Sequence, residues 1–248
     1  MYIGETHIIF NIYYFMSRLK TMGVLGGMGP EASAEFYNLI IRLSQKKYKA
    51  IQDTDYPPTY ISSLPLKDFD ESGIVNKDSV LEQLITRIMT LNKIGSDFIV
   101  IPCNTVHCFI EELRSHSKVP VLSIIEETAK RILSDNLRTV GLLASETTYT
   151  MRIYDNLLQQ KGIKVILPED TDKRYITQLI LEVMSGKVTT ETKRNILSII
   201  NVMQDKSAMG IILGCTEIPI AITSQDTKVP LYDTLEILAE SALEYSHK

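Results

Sequence analysis

Leu19-Lys-Thr-Met-Gly-Val-Leu-Gly-Gly-Met-Gly29, running on to Phe36-Tyr-Asn-Leu-Ile40, returns later in the chain as Leu137-Arg-Thr-Val-Gly-Leu-Leu-Ala-Ser-Glu-Thr147, running on to Ile153-Tyr-Asp-Asn-Leu157. Two further blocks repeat in the same order. Phe98-Ile-Val-Ile-Pro-Cys103-Asn-Thr105 matches Gly210-Ile-Ile-Leu-Gly-Cys215-Thr-Glu217. Lys118-Val-Pro-Val-Leu-Ser123, ahead of Glu126–Lys130, matches Lys228-Val-Pro-Leu-Tyr-Asp233, ahead of Glu236–Glu240. Matched blocks in one order read as an internal duplication. The division expected from them is an N-terminal extension over 1–18, one α/β domain over 19–136 and a second over 137–248, whose last helix packs back onto the first.

Within each half, short apolar runs alternate with helical stripes. The runs at Met22–Leu25, Thr59–Ser62, Phe98–Ile101 and Val119–Leu122 predict strands, as do Val140–Leu143, Lys164–Leu167, Gly210–Leu213 and Val229–Tyr232. They carry little polar alternation, which is the signature of parallel strands covered on both faces. Val80, Leu84 and Ile88 fall on one helix face, and Ile176, Leu179, Ile180 and Val183 form another stripe. Strand and helix in alternation predict two α/β units with right-handed crossovers.

Composition narrows the functional classes. With 44% hydrophobic residues in 248, the chain has enough apolar material for a core, so disorder is excluded. Twenty-six Lys and Arg against 30 Asp and Glu give a net charge of −4, which argues against a nucleic-acid partner. Three cysteines in no metal-like spacing, Cys103, Cys108 and Cys215, fit reduced thiols better than a disulfide scaffold. The apolar stretch Ile8–Met16 is too short to span a bilayer and lacks a basic flank for export. It reads as a docked helix, an oligomer contact or an upstream extension. The expectation is a soluble, cytoplasmic protein with no membrane partner.

Cys103 and Cys215 each follow a predicted strand and precede a helix start. In open α/β sheets, ligands bind in the crevice outside the carboxyl ends of the strands. Two thiols at matched places can face one cleft from opposite sides, which suits removal of a proton from one face of a carbon and its return on the other. Cys108 has no counterpart in the second half and reads as packing. Asn104, Thr105, Thr216 and Glu217 stand beside the sulfurs either as helix caps or as ligand contacts. His107 either tunes the thiol or is a satisfied structural histidine. Gly26-Gly-Met-Gly-Pro30 is a tight turn entering a helix, without the spacing of a dinucleotide fingerprint. It reads as a carboxylate seat, with the hydroxyls of Ala144-Ser-Glu-Thr147 opposite it. The four histidines show no ligand spacing and no lysine is marked for a Schiff base, so the expected reaction uses neither metal nor cofactor.

At Gly26-Gly-Met-Gly-Pro30, Pro102-Cys-Asn-Thr105 with His107, and Gly214-Cys-Thr-Glu217, the chain resembles the aspartate/glutamate racemase family, most closely its aspartate racemase branch. The resemblance runs from about Leu19 to Glu244. It implies a PLP-independent amino-acid racemase with no cofactor. It also implies two Rossmann-like, three-layer α/β domains with mostly parallel sheets, a homodimer, and a site between the domains. Cys103 and Cys215 would be the two bases. Gly27, Met28, Asn104, Thr105, Ser145, Thr147, Thr216 and Glu217 would contact substrate. The pattern departs at two places, where an arginine and a lysine used by aspartate-specific relatives correspond to Phe69 and Met184; Lys67 is a conceivable replacement. These departures leave racemisation intact and favour broad specificity or glutamate over aspartate alone. The rival readings are a cysteine-dependent decarboxylase, hydantoin racemase or cis–trans isomerase, and an amino-acid-binding module without chemistry.

Overall fold

The computed structural model describes residues 19–70 and 73–248, so the readings for residues 1–18 lie outside the described residues. The first series of elements is β1 (Met22–Gly26), α1 (Pro30–Tyr48), β2 (Thr59–Ser63), β3 (Phe69–Asp70), β4 (Gly73–Ile74), α2 (Lys77–Lys93), β5 (Phe98–Val100), a 3₁₀ turn (Thr105–Phe109), α3 (Ile110–Ser115), β6 (Val121–Leu122) and α4 (Ile124–Ser134). The second is β7 (Thr139–Ala144), α5 (Glu146–Thr150), α6 (Asp155–Gln160), β8 (Lys164–Ile166), α7 (Asp170–Met184), α8 (Thr190–Asp205), β9 (Ile211–Gly214), α9 (Ile218–Ala221), β10 (Leu231–Asp233) and α10 (Thr234–Ser246).

Each series builds a parallel four-stranded sheet, ordered β2-β1-β5-β6 in the first and β8-β7-β9-β10 in the second. The order is the same when strands are counted from the start of each series. The fold is thus a mostly parallel α/β architecture with two similar layers of sheet and helix. Antiparallel pairing is confined, among the described residues, to the small β3–β4 hairpin, where Phe69 faces Ile74. Winding reverses beside the first strand of each sheet. The crevices therefore lie beyond the carboxyl ends of β1 and β5, and of β7 and β9.

All eight apolar runs become strands. Two start late, β6 at Val121 and β10 at Leu231, because Pro120 and Pro230 have no N–H to give a ladder. Their carbonyls still accept from Ile99 and Ile211. The helical stripes also go inside: Val80, Leu84, Ile88 and Leu91 of α2, and Ile176, Leu179, Ile180 and Val183 of α7, are buried. Asn76 caps α2 through a bond from the Ser79 N–H, and Ser123 caps α4 through one from Glu126.

Alternation along the strands divides the core. Leu25, Ile99 and Ile101 pack under α2, whereas Leu143, Ile211 and Leu213 pack under α7 and α8. The opposite faces of both sheets, through Val24, Val100, Leu142 and Ile212, contribute to one shared cluster with Phe36, Ile132, Leu238 and Tyr154. Helix α10 lies against α1 and α4 within it. Around its edge, Glu240 pairs with Lys47 at 2.7 Å and with Arg131, and the Tyr232 hydroxyl donates to Asp135 at 2.7 Å.

His107 ties the first crevice to this shared layer. Its Nδ1–H donates to the Cys103 carbonyl at 2.8 Å, and its Nε2 accepts the Ile124 N–H at 3.2 Å. Both ring nitrogens are thereby committed, with the imidazole neutral and 3% exposed. Burial lowers its pKa to about 4. Below the unfolded histidine value of about 6.5, the unfolded chain binds a proton that the folded one refuses. Folding stability should therefore fall as pH drops from 6.5 towards 4, by up to about 3 kcal/mol from this residue. Urea unfolding of the wild type and His107→Gln at pH 7 and pH 4.5 checks this. The variant should be weaker at pH 7 yet lose less on acidification.

Candidate active site

Cys103 and Cys215 occupy equivalent positions beyond β5 and β9, each the third strand of its sheet. Both are buried, at 5% and 8% exposure, and neither is in a disulfide. The segments that follow are shorter than the sequence suggested: a five-residue 3₁₀ turn after Cys103 and the four-residue α9 after Cys215. A helix field builds from aligned peptides, so these turns offer the sulfurs little of it. The Cys215 sulfur is engaged locally instead. Neither Asn104 nor Glu217, at the N-terminal positions of those turns, makes a side-chain capping bond, so capping does not explain either residue.

The Cys215 thiol donates to Glu217 Oε2 at 3.0 Å, and the Thr216 hydroxyl donates to the same oxygen at 3.2 Å. Glu217 is 3% exposed, and burial raises its pKa, against the pull of the thiol. Thiol and carboxyl together form a short proton-sharing pair.

On the Cys103 side the polar groups reach across to the second series. The Tyr154 hydroxyl donates to Asn104 Oδ1 at 2.6 Å, Asn104 Nδ2 donates to Thr234 Oγ1 at 3.1 Å, and Thr234 Oγ1 donates to the Leu213 carbonyl at 2.9 Å. This buried relay joins the end of β5 to the end of β9. Beside it, Thr105 Oγ1 lies 3.0 Å from Ser145 Oγ and 3.4 Å from Thr148 Oγ1. Ser145 also caps α5 from the Thr148 N–H. Tyr154, Thr234 and Thr148 are the residues that sequence reasoning missed.

The glycine turn sits between the cysteine loops. Gly27 has φ +95°, and a Cβ there would lie 2.2 Å from the Leu64 nitrogen, so the position excludes any side chain. Its N–H donates to Ser33 Oγ at 2.8 Å, and the Ser33 hydroxyl donates to the Gly29 carbonyl at 3.1 Å. The Gly27 amide is thus engaged within the turn. Met28 is buried in the same apolar cluster as Cys103. A Cβ on Gly29 would meet Glu217 Oε1 at 3.2 Å, placing the turn against the Cys215–Glu217 pair. Thr147, at 9% exposure, stands across from the β3–β4 hairpin, its Oγ1 3.6 Å from where a Gly73 Cβ would lie.

A cavity of about 490 Å³ has Gly27–Pro30 in its wall, together with Phe69 and Met184. Lys67 does not line it. Lys67 is exposed and bound through its backbone to the Gln83 amide, at 3.1 and 3.2 Å. A larger groove of about 850 Å³, with Glu146, Lys173 and Glu182 in its wall, contains no residue of the cysteine loops or the glycine turn. Of these two cavities, only the smaller has the glycine turn in its wall. Cys108 is half-buried, with its pKa pushed up to about 12 by burial, as befits packing rather than reaction. Among the described residues, no helix is long and apolar enough to cross a membrane, and no cluster of His, Cys, Asp and Glu could hold a metal ion.

The arrangement has close counterparts. The broad-specificity amino-acid racemase RacX of Bacillus subtilis is 31% identical over 222 residues, which cover 90% of this chain and 96% of that protein. An aspartate racemase homologue from Pyrococcus horikoshii superposes with a TM-score of 0.80 at 30% identity, covering 93% of this chain and all of that one, 100%. Aspartate racemase from Picrophilus torridus gives 0.78 at 27% identity, covering 92% of this chain and 94% of its own. Residues 25–242 match the family described as Asp/Glu/hydantoin racemase, and the chain belongs to that family of PLP-independent isomerases.

Proposed function

We propose that this racemase acts on free amino acids by two-base proton transfer, with Cys103 and Cys215 on opposite faces of the substrate α-carbon. One observation carries the reading. Two thiols end equivalent strands of two identically ordered parallel sheets, with a glycine turn packed between their loops. In one direction a Cys103 thiolate removes the α-proton and the Cys215 thiol gives its own proton to the opposite face. In the other direction the roles exchange.

The α-carboxylate sits at the Met28–Gly29 amides and the hydroxyls of Thr105, Ser145 and Thr147. Charge that develops on it as the α-proton leaves meets those donors in a site closed to water. Asn104 is held in place by Tyr154 and Thr234, so its role is to fix the geometry of the Cys103 loop. Glu217 takes the Cys215 proton when that sulfur has to act as base, with Thr216 orienting the carboxylate. The chain's two lobes, 19–136 and 137–248, supply one base each, and a homodimer is part of the reading, as the family resemblance implies.

α-Proton exchange of amino acids in D₂O, followed by NMR and chiral chromatography without added PLP or metal, tests the activity. Exchange accompanied by inversion is the expected result. Cys103→Ser and Cys215→Ser should each lower racemisation by about 10²- to 10⁴-fold, the usual scale for loss of an acid/base group. A decarboxylase working through Cys103 would keep its activity in Cys215→Ser, and that result would sink the two-base mechanism.

Glu217 generates a pH signature. Its carboxyl, raised by burial, must be ionised to accept the thiol proton. Activity should therefore rise with pH along a limb displaced above the ordinary carboxylate range. Glu217→Gln should remove that limb, lower kcat/KM about tenfold or more at neutral pH, and move the remaining rise towards the thiol range. A pH–rate profile of the two proteins reads this directly.

A further inference from the structure

Helix α7 carries two apolar stripes. Ile176, Leu179, Ile180 and Val183 face the core. Thr177, Leu181 and Met184, at four- and three-residue spacing, form a second stripe in the wall of the 490 Å³ cavity. Leu181 is 50% exposed and Met184 44% exposed. A helix that only covered a sheet would place polar residues on that face. Leu66 and Phe69, from the stretch between β2 and β4, complete the wall. The part of the cavity wall tied to the cysteines is the glycine turn, where a Cβ on Gly29 would lie 3.2 Å from Glu217 Oε1 and Met28 shares an apolar cluster with Cys103.

The charge in this cavity is as informative as its apolar wall. Among the described residues of the lining, Asp70 is the one that carries a charged side chain, and no arginine, lysine or histidine is present; Lys173 and Arg174 belong to the larger groove, which meets this cavity at Thr177 and Leu181. A distal carboxylate entering from substrate would lose water against leucine, phenylalanine and methionine, with no cation among the described residues of that wall to offset the loss. A neutral aliphatic side chain has the opposite balance, since it leaves water for a matching surface at no electrostatic cost.

We infer that the side-chain subsite of this enzyme takes neutral, apolar amino acids of the leucine and methionine kind in preference to aspartate and glutamate, because Leu66, Phe69, Leu181 and Met184 line it and, among the described residues, no cation does. This inference rests on the racemase reading for its turnover but not for its binding. Each is therefore measured separately.

Calorimetric titration with L-leucine, L-methionine, L-aspartate and L-glutamate gives binding, and α-proton exchange of the same four in D₂O gives turnover. Leucine and methionine should bind more tightly than the acidic pair and exchange with kcat/KM at least about tenfold higher, the scale on which an apolar pocket discriminates. Phe69→Arg and Met184→Lys, made separately and together, should narrow or reverse that order by supplying the missing cation. Both positions lie in the cavity wall, and Met184 is substantially exposed, so folding tolerates the change at that site. Preference of the wild type for aspartate or glutamate overturns the inference, as does failure of leucine and methionine to bind. Binding of the apolar pair that Met184→Lys abolishes, with no exchange from any substrate, upholds the subsite and removes the racemase reading instead.

Discussion

A parallel sheet must be covered on both faces, and this chain has two such sheets to cover within 248 residues. It does so by letting the sheets share a layer. One face of each packs outward, under α2 in the first case and α7 and α8 in the second. The other faces meet a common cluster that α1, α4, α6 and α10 fill from both ends of the chain. Separate cores would leave the lobes free to reorient. A shared close-packed core fixes the carboxyl ends of the strands relative to one another, and those ends carry the cysteines.

Polar bracing finishes what the apolar layer begins. Tyr154, Asn104, Thr234 and the Leu213 carbonyl form a buried relay from one crevice to the other. Removing any member leaves a buried donor or acceptor without its bond, at roughly 1–3 kcal/mol for each orphaned group. His107 does comparable work between the Cys103 carbonyl and the start of α4. The family resemblance put Asn104 in contact with substrate, and its side-chain oxygen and nitrogen are both engaged within the protein. In the reading proposed above, it acts on the site through the loop it holds.

What could be read from the chain beforehand follows the range of the interaction. The eight strands and the α2 and α7 stripes were legible because burial on both faces leaves a local mark. Matched cysteines were legible because duplication repeats residues as well as elements. The β3–β4 hairpin was not, since its two strands are of two residues each and leave no alternation to detect. Tyr154 and Thr234 gave no signal because the residue they both hold, Asn104, comes from the other half of the chain. His107 was ambiguous because its second partner, the Ile124 N–H, lies 17 residues on, beyond the reach of a local pattern. Phe69 and Met184 stood out only as departures from a family pattern, and their common cavity gives those departures a physical meaning.

Duplication made the backbone symmetric without making the chemistry so. Two residues after Cys215 stands Glu217, with the thiol hydrogen-bonded to its carboxyl. Two residues after Cys103 stands Thr105, whose hydroxyl belongs to the Ser145 cluster. In the two-base reading, a carboxylate two residues on assists Cys215, and the matching position after Cys103 holds a hydroxyl instead. Enantiomers have equal free energies in achiral solvent, so the equilibrium constant is one and kcat/KM must be equal in the two directions whatever the enzyme's asymmetry. The Glu217 assistance can appear only in the separate values of kcat and KM, and in the protonation state in which each hand of substrate finds the enzyme. On that reading, a symmetric fold carrying an asymmetric pair of thiols reaches a symmetric equilibrium by two unlike half-reactions. The buried carboxyl beside Cys215 sets how unlike they are.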